Sequence, residues 1–187
     1  MNQLLEQGAA ATPTEDVDFA RRFGGIGRLY GEPALERFRA AHVCVIGVGG
    51  VGSWVVEALA RSAIGHLTLI DLDNVAESNI NRQIQALSST IGMPKIEALR
   101  QRIAEINPFC KVTLVEDFID LENIETLVAN QGFDYVVDAI DSVKPKAALK
   151  PIKQLLLQKR SHSLEPPGPS VHRSLQQLLQ RMMTVIW

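Results

Sequence analysis

The chain has 187 residues, of which 46% are hydrophobic and 21% are charged, with a formal net charge of -2 and a pI near 6.1. This composition is typical of one globular domain with a sizeable core, and a second complete domain would not fit. It excludes a globally basic nucleic-acid-binding protein, although a local basic patch could still form on folding. No stretch approaches the roughly 18 consecutive apolar residues of a membrane span.

Strand and helix patterns alternate along the chain. Short β-branched runs ending at glycine or aspartate indicate buried parallel strands, and longer runs with helical periodicity separate them. The predicted elements are a helix at 33–40, a strand at 42–47, a helix at 50–65 ended by glycine, a strand at 66–71, a helix at 93–107, a strand at 110–115, a helix at 121–130 and a strand at 133–139. The order predicts an α/β, Rossmann-like open, mainly parallel sheet with flanking helices, truncated after the fourth strand.

The ends of the chain differ from its middle. We predict a flexible leader at 1–20, a folded α/β domain at 21–149, and an atypical tail at 150–187 with no convincing strand. From residue 151 the tail carries five Lys or Arg and one Glu, which makes it basic while the rest is acidic. Cys44 and Cys110 form no C-x-x-C motif, so a reducing, cytoplasmic setting fits best. Cys44 falls in an apolar strand and is predicted to be core, and Cys110 is predicted to be structural.

A glycine-rich loop follows the first strand. Gly47, Gly49 and Gly52 satisfy G-x-G-x-x-G, and Gly50 is an additional glycine. Such a loop lets the backbone approach a phosphate at a helix N-terminus, but it does not distinguish a redox dinucleotide from ATP, and a tight turn needing small residues is the structural alternative. Asp71 lies at the end of the next strand, where a carboxylate takes ribose hydroxyls, unless it is simply a surface acid.

Further polar residues are predicted at the same edge, because ligands bind outside the carboxyl ends of parallel strands. Asn79, Arg82 and Lys95 supply an amide and two cations suited to a triphosphate, although either cation alone is as well explained as a solvated surface charge. The predicted edge therefore combines the glycine loop, Asp71 with Asp73, the 79–82 segment, and Asp138 with Asp141. Asp141 is a candidate Mg²⁺ ligand, and its alternative role is a helix N-cap with Ser142.

These motifs together resemble a known family. They are G-V-G-G-V-G at 47–52, L-I-D-L-D-N-V-A-E-S-N-I-N-R-Q at 69–83, G-M-P-K at 92–95 and D-A-I-D-S at 138–142. They are similar to the adenylating E1-like superfamily of the molybdopterin-synthase and ubiquitin-activating enzymes. R-F-G-G-I-G-R-L-Y-G at 22–31 resembles the branch of tRNA threonylcarbamoyladenosine dehydratases, its alternative being an ordinary glycine-containing turn before the first helix. The resemblance covers about residues 20–149, and it implies that the predicted domain at 21–149 is a partial ATP-binding adenylation domain.

The resemblance implies roles for individual residues. The four loop glycines would line the ATP phosphates, Asp71 would bind the ribose, and Asp73 would belong to the same cofactor-binding set. Asn79, Arg82 and Lys95 match the positions that contact the polyphosphate, with Arg82 supplied by the same chain or across a homodimer interface. Asp141 matches the acid that supports Mg²⁺ and catalysis. The implied reaction is the adenylation by ATP of the carboxylate of the threonylcarbamoyl group on tRNA. A nitrogen of the same group would then close a ring. Because this nucleophile belongs to the substrate, no cysteine is needed.

The resemblance ends near Leu149. Family members continue with a Thr-Thr-Gly-Gly segment, whereas this chain has E-P-P-G-P at 165–169. A DNA sequence that encodes E-P-P-G-P in one reading frame can encode Thr-Thr-Gly-Ala in another. We therefore predict that the part after about residue 149 is lost or frameshifted and that the chain is weakly active or inactive. The alternatives are an activator of a ubiquitin-like or sulfur-carrier protein, a non-catalytic nucleotide-binding module, and an NAD-dependent oxidoreductase.

Overall fold

The computed structural model describes residues 17–120, 122–129 and 131–140. Within them the helices and strands alternate as the sequence predicts. The elements are α1 (Phe19–Tyr30), α2 (Glu32–Ala40), β1 (His42–Ile46), α3 (Gly52–Arg61), β2 (His66–Ile70), α4 (Lys95–Ile106), β3 (Lys111–Val115) and β4 (Tyr135–Asp138). A 3-10 turn at Glu77–Asn79 and a π-helical turn at Glu125–Ala129 complete the described structure. None of these helices is long and apolar enough to cross a membrane.

The four strands form one parallel sheet in the order β3-β2-β1-β4. Because successive strand residues face opposite sides, each strand contributes to two cores. Val43, Val45, Leu67 and Leu69 pack with side chains of α3 and α4 on one face. On the other face, a second cluster joins Cys44, Ile46 and Ile70 to Ile124, Val128 and Phe133. The predicted α/β fold is confirmed, and its carboxyl strand ends all open to the same edge.

The segment 22–30 is helical and only Gly31, with φ of 88°, lies between α1 and α2, so the interpretation of the whole segment as a glycine-containing turn is wrong. Helix α1 begins at Phe19, because the Asp18 side chain accepts hydrogen bonds from the N–H groups of Ala20 and Arg21. Gly27 is buried, and a methyl group there would overlap the Glu32 carboxylate. Packing against α2 therefore outweighs the low helix propensity of glycine.

The end of α3 also differs from the prediction. The helix ends at Arg61, and Ala63, not Gly65, takes the left-handed conformation, with φ of 64°. Gly65 serves a different purpose: a methyl group on it would overlap the carbonyl oxygen of Arg39. Its small size allows the chain to pass close to the end of α2 before β2 begins.

The last part of the chain is described only in part. Where a helix is predicted at 121–130, the structure has the π-helical turn, and Gly132 follows with φ of 70°. Residues 1–16, Leu121, Asn130 and 141–187 lie outside the described residues. The predicted roles of Asp141, the leader, the tail and its frameshift therefore stay predictions.

Candidate functional site

A cavity of about 420 Å³ lies at the carboxyl ends of β1, β2 and β4. It brings together most of the site residues predicted from the sequence, which come from separate loops. The lining residues are Gly47, Gly49, Gly50, Asp71, Asp73, Asn79, Arg82, Gln83, Lys95, Ala139 and Ile140. The prediction that these segments share one edge of the sheet is confirmed. Gly52 does not line the cavity but lies behind it.

The glycines of the loop fall into two groups. Gly47 has φ of 80°, and a methyl group there would lie 3.0 Å from the carbonyl oxygen of Ala139. A methyl group on Gly52 would overlap the carbonyl oxygen of Gly47, so the fold itself requires these two glycines. At Gly49 and Gly50 the nearest atoms would be 3.9 and 3.8 Å away, in Gln83 and Arg82. The fold leaves room for a methyl group at both positions, so packing does not require glycine there. The small size of Gly49 and Gly50 can instead allow a ligand to approach the backbone.

Asp71 joins the end of β2 to the glycine loop. Its Oδ2 accepts a hydrogen bond from the N–H of Val48 at 2.7 Å, and its Oδ1 accepts one from the N–H of Asp73 at 2.9 Å. Each carboxylate oxygen can accept a further hydrogen bond, because each has two lone pairs. The carboxylate therefore both fixes the loop and keeps capacity for a hydroxyl in the cavity.

Lys95 is the buried cation of the cavity. It is the first residue of α4 and is 5% exposed, and its Nζ lies 2.6 Å from Oδ2 of Asp73. The Asp73 side chain is 71% exposed, so the aspartate can turn towards solvent while the lysine is held in place. An ammonium group in this position suits an anionic ligand, which can join or replace the carboxylate.

Asn79 and Arg82 complete the polar wall. Asn79 is buried, and its Oδ1 accepts a hydrogen bond from the N–H of Ala76. Arg82 Nη1 donates to the carbonyl oxygen of Ser78 at 2.6 Å and to Asn81 Oδ1 at 3.1 Å. Arg82 lines the cavity of its own chain. The predicted contribution of Arg82 across a homodimer interface stays a prediction.

The last strand contributes backbone and apolar surface. Asp138 ends β4, and its Oδ1 accepts a hydrogen bond from the N–H of Ile140 at 3.2 Å. Asp141 would follow directly but lies outside the described residues. Within the described part of the chain, no cluster of three or more His, Cys, Asp or Glu side chains could hold a metal ion. Mg²⁺ does not require such a cluster, since it is usually held by one or two carboxylates together with substrate phosphates.

The cysteines lie outside the cavity. Burial raises the pKa of both thiols, Cys44 and Cys110, to about 12. Thiols with such a pKa stay protonated at neutral pH and are poor nucleophiles. Cys44 is fully buried in the second core, as predicted, and Cys110 is partly buried.

A larger cavity of about 820 Å³ lies among α1, the end of α3, α4 and the segment from Gln85 to Thr90, and three arginines line it. Arg61 and Arg102 both donate to the buried carboxylate of Glu57. Arg22 donates to carbonyl oxygens at the end of α4. These cations already have partners, and the smaller cavity with its glycine loop is the better candidate site.

The sequence analysis missed Gln83, Ala139 and Ile140, which line the cavity. Gln83 is 5% exposed and directly follows Arg82 in the predicted 79–82 segment, so extending that segment by one residue would have included it. Ala139 and Ile140 lie between the two predicted aspartates at 138 and 141. Position after a strand was the available signal, because their side chains carry no chemistry.

Comparisons with known proteins agree with this geometry. The model of the ThiF family matches residues 24–158. The tRNA threonylcarbamoyladenosine dehydratase of Haemophilus influenzae is 58% identical over 132 residues, covering 71% of this chain and 50% of that protein. The Salmonella typhimurium molybdopterin-synthase adenylyltransferase is 37% identical over 114 residues, covering 61% of this chain and 45% of that protein.

A solved structure is similar over the same region. The crystal structure of Escherichia coli tRNA N6-threonylcarbamoyladenosine dehydratase, TcdA, in complex with ATP matches with 55% identity and a TM-score of 0.68, covering 70% of this chain and 53% of that chain. The chain thus spans about half the length of the curated relatives it matches. Its glycine loop, its parallel sheet and the extent of the family match lead to one assignment: the chain belongs to the ThiF family.

Proposed function

We propose that this chain binds ATP in the smaller cavity and uses it to adenylate a carboxylate, that of the threonylcarbamoyl group on an adenosine of tRNA. One observation carries the proposal: a glycine loop with room at Gly49 and Gly50 faces Lys95, Arg82 and Asp71 in one cavity. The similar E. coli protein, 55% identical, has a structure in complex with ATP. The similar proteins of H. influenzae and E. coli are both named tRNA threonylcarbamoyladenosine dehydratase.

The polyphosphate fits the loop and the first turn of α3. No acceptor within the described residues pairs with the N–H groups of Gly49, Gly50 or Val51. Free N–H groups at a helix N-terminus, where the helix dipole is positive, bind phosphate oxygens. Asn79, Lys95 and Gln83 line the opposite wall, so donors surround the space where the phosphates would lie. Asp71 would accept hydrogen bonds from the ribose hydroxyls.

The chemical step is a substitution at the α-phosphorus. A carboxylate oxygen of the substrate forms a bond to that phosphorus, the bond to the β-bridging oxygen breaks, and pyrophosphate leaves with the electron pair. Lys95 and Arg82 would stabilise the charge on the phosphate oxygens and the leaving group, which is where protein groups contribute most in such transfers. Mg²⁺, held by the phosphates and by Asp141, would supply further charge neutralisation.

The adenylated carboxyl is then open to attack. A nitrogen of the same threonylcarbamoyl group would attack the acyl carbon, AMP would leave with the acyl-oxygen electron pair, and a ring would close with loss of the nitrogen's proton. The nucleophile belongs to the substrate, which agrees with the raised pKa of both thiols near 12. No enzyme cysteine takes part.

Thermal shift with two nucleotides tests the nucleotide assignment. We expect MgATP to raise the melting temperature of the 187-residue chain and NADH to leave it unchanged, since ligand binding to the native state stabilises it. Stabilisation by NADH without any by MgATP would overturn the proposal in favour of the oxidoreductase alternative.

Exchange of labelled pyrophosphate into ATP tests the substrate. Exchange that depends on tRNA carrying threonylcarbamoyladenosine supports the proposal, whereas exchange that depends on a ubiquitin-like or sulfur-carrier protein would favour the activity named for the S. typhimurium relative. ATP binding without exchange would identify a non-catalytic nucleotide-binding module. The 58% against 37% identity of the two relatives favours the tRNA substrate.

The proposed assembly is a homodimer. Large apolar side chains are exposed in the segment between β2 and α4, with Leu72, Ile80, Leu87 and Ile91 each at least 40% exposed. Contiguous exposed apolar surface marks interaction sites in globular proteins. Analytical ultracentrifugation measures the state directly, and a monomer at micromolar concentration would contradict the proposal.

A further inference from the structure

Gln85 is a buried amide that lies beside the candidate site but does not line it. It is 3% exposed, and its Nε2 donates to the carbonyl oxygen of Val48 at 3.0 Å and to Oε1 of Gln83 at 3.1 Å. Its own Oε1 is buried and has no hydrogen-bond partner within the described residues. Because a carbonyl oxygen only accepts, the amide group of Gln85 must face Val48 with its NH₂, which fixes its orientation.

The two acceptors of Gln85 belong to the two walls of the cavity. Val48 is in the glycine loop, and its N–H donates to Asp71, so the loop is held on one side by a carboxylate and on the other by an amide. Gln83 turns its Oε1 towards Gln85, which leaves its Nε2 on the side of Gly49, 3.9 Å from where a methyl group on that glycine would lie. The donor of Gln83 therefore points along the glycine loop.

Two more hydrogen bonds attach the same segment to the start of α3. Ser53 Oγ accepts from the N–H of Ile84 at 3.4 Å, and Trp54 Nε1 donates to the carbonyl oxygen of Arg82 at 3.0 Å. Ser53 is fully buried. The loop, the first turn of α3 and segment 82–85 are thus joined at three points, of which the hydrogen bond from Gln85 is the one that reaches the glycine loop.

We propose that Gln85 is a positioning residue for ATP: it sets the glycine loop through Val48 and aims the Gln83 amide at the phosphates, without touching the nucleotide. This inference rests on the proposed ATP site. A buried oxygen without a partner destabilises the fold, so an apolar side chain of similar size would suit the core better than Gln85 does. What the amide contributes is its pair of donors, and both serve the walls of the cavity.

Asn107 offers a matched control. It is also buried, its Nδ2 donates to the carbonyl oxygen of Ile64 at 3.1 Å, and its Oδ1 likewise has no partner among the described residues. It lies at the end of α4, away from the cavity-lining residues. Gln85→Leu and Asn107→Leu therefore remove equivalent amides, one beside the proposed site and one remote from it.

The experiment is titration calorimetry with MgATP on the full 187-residue chain, with melting temperatures measured in parallel. We expect Gln85→Leu to weaken ATP binding about 5- to 10-fold, because the Gln85 hydrogen bonds that align the glycine loop and Gln83 are lost. Asn107→Leu should leave the Kd within about twofold of wild type, whatever its effect on melting temperature. Equal ATP affinity in the two variants would overturn the inference, while absence of ATP binding in wild type would overturn the proposed function itself.

Gln85→Met provides the second variant and carries the test if Gln85→Leu does not fold. Methionine is unbranched and similar in length to glutamine, so it fills the same space without a donor for Val48 or Gln83. Gln85→Met should weaken ATP binding about as much as Gln85→Leu does. An ATP affinity of Gln85→Met within about twofold of wild type would contradict a positioning role.

Discussion

The two ends of the parallel sheet treat their polar groups in opposite ways. At the carboxyl end, Lys95, Asp71 and the glycine-loop amides line a cavity and retain hydrogen-bonding capacity. At the amino end, His42 and His66 stack on each other with ring centroids 3.5 Å apart and an angle of 5° between the rings. Their Nε2 atoms are hydrogen-bonded to Thr68 and Thr113, at 2.8 and 3.0 Å.

This difference between the two ends of the sheet predicts that one end contributes mainly to ligand binding and the other mainly to folding stability. Register explains the histidine stack, because His42 pairs with His66 and the two side chains fall on the same face of adjacent strands. Their Nε2 atoms are hydrogen-bonded within the sheet, whereas the polar groups of the cavity have partners that a ligand can join or replace. Changes at the amino end should therefore alter folding stability, and changes at the carboxyl end should alter ligand binding first.

The glycine loop gives the largest expected effect and divides the carboxyl end itself. Gly52→Ala should lower the free energy of unfolding by about 3 kcal/mol, because the methyl group overlaps a backbone carbonyl that cannot move aside. Gly50→Ala should leave it unchanged within about 0.5 kcal/mol and should abolish the ATP-dependent rise in melting temperature. Urea unfolding with and without MgATP measures both, and equal behaviour of the two variants would remove the distinction.

Lys95 gives the next largest effect. Lys95→Ala should weaken ATP binding about 10- to 100-fold, since it removes the buried cation that we propose to bind a phosphate group. Lys111→Ala, at the amino end of β3, removes an exposed lysine and should leave the affinity within about twofold. Calorimetric titration of both variants with MgATP compares the two ends directly, and an equal loss of affinity would contradict the assignment.

Low pH should destabilise the fold through the two histidines at the amino end of the sheet. Burial, with the neighbouring His42 and Lys111, lowers the pKa of His66 to about 4, and burial also lowers the pKa of His42, against the opposing effect of Asp134. The folded chain then binds fewer protons than the unfolded chain, so stability is complete above about pH 6.5 and falls as pH decreases towards 4. With allowance for solvent screening, the loss is about 1 kcal/mol.

His66→Gln provides the control for this pH dependence. Glutamine can keep a hydrogen bond to Thr113 but does not titrate, so its unfolding free energy should depend less on pH between 4 and 6.5. Chemical denaturation at several pH values measures the slope. An unchanged slope in His66→Gln would show that other groups cause the acid sensitivity.

Cys110 should have the smallest effect. Its thiol is outside the cavity and stays protonated, with a pKa of about 12, so Cys110→Ser should change ATP affinity by less than about twofold. Thiol labelling of the native protein at pH 8 should be slow at both cysteines and fast after unfolding. Rapid labelling that ATP prevents would instead indicate a thiol in the site.

Much of the fold could be predicted because hydrophobic periodicity reports it directly. The strands β1 to β4 and helix α4 lie where the pattern places them, and the edge that gathers the glycine loop with Asp71 follows from parallel topology alone. The errors occurred at glycines. Gly27 lies inside α1, and Gly65 makes room for a carbonyl group while Ala63 carries the left-handed turn.

The rest depends on tertiary contacts that spacing does not encode. Nothing in the sequence shows that Gly50 has room for a methyl group while Gly52 has none, because that depends on where the backbone returns. The same holds for Gln85, whose two acceptors lie 37 residues before it and two before it in the chain. The predicted role of Gly50, to let the triphosphate approach, remains a prediction that Gly50→Ala tests.

The ion pair between Lys95 and Asp73 also sets a threshold for what can bind. Asp73 is a tethered anion, present at the lysine at a high effective concentration, and any incoming anion must compete with it. A single chloride or orthophosphate ion offers little to offset that competition. In the proposed site a triphosphate would contact Lys95 while the loop amides bind the rest of its charge, so Asp73 would select against small anions of the surrounding solution.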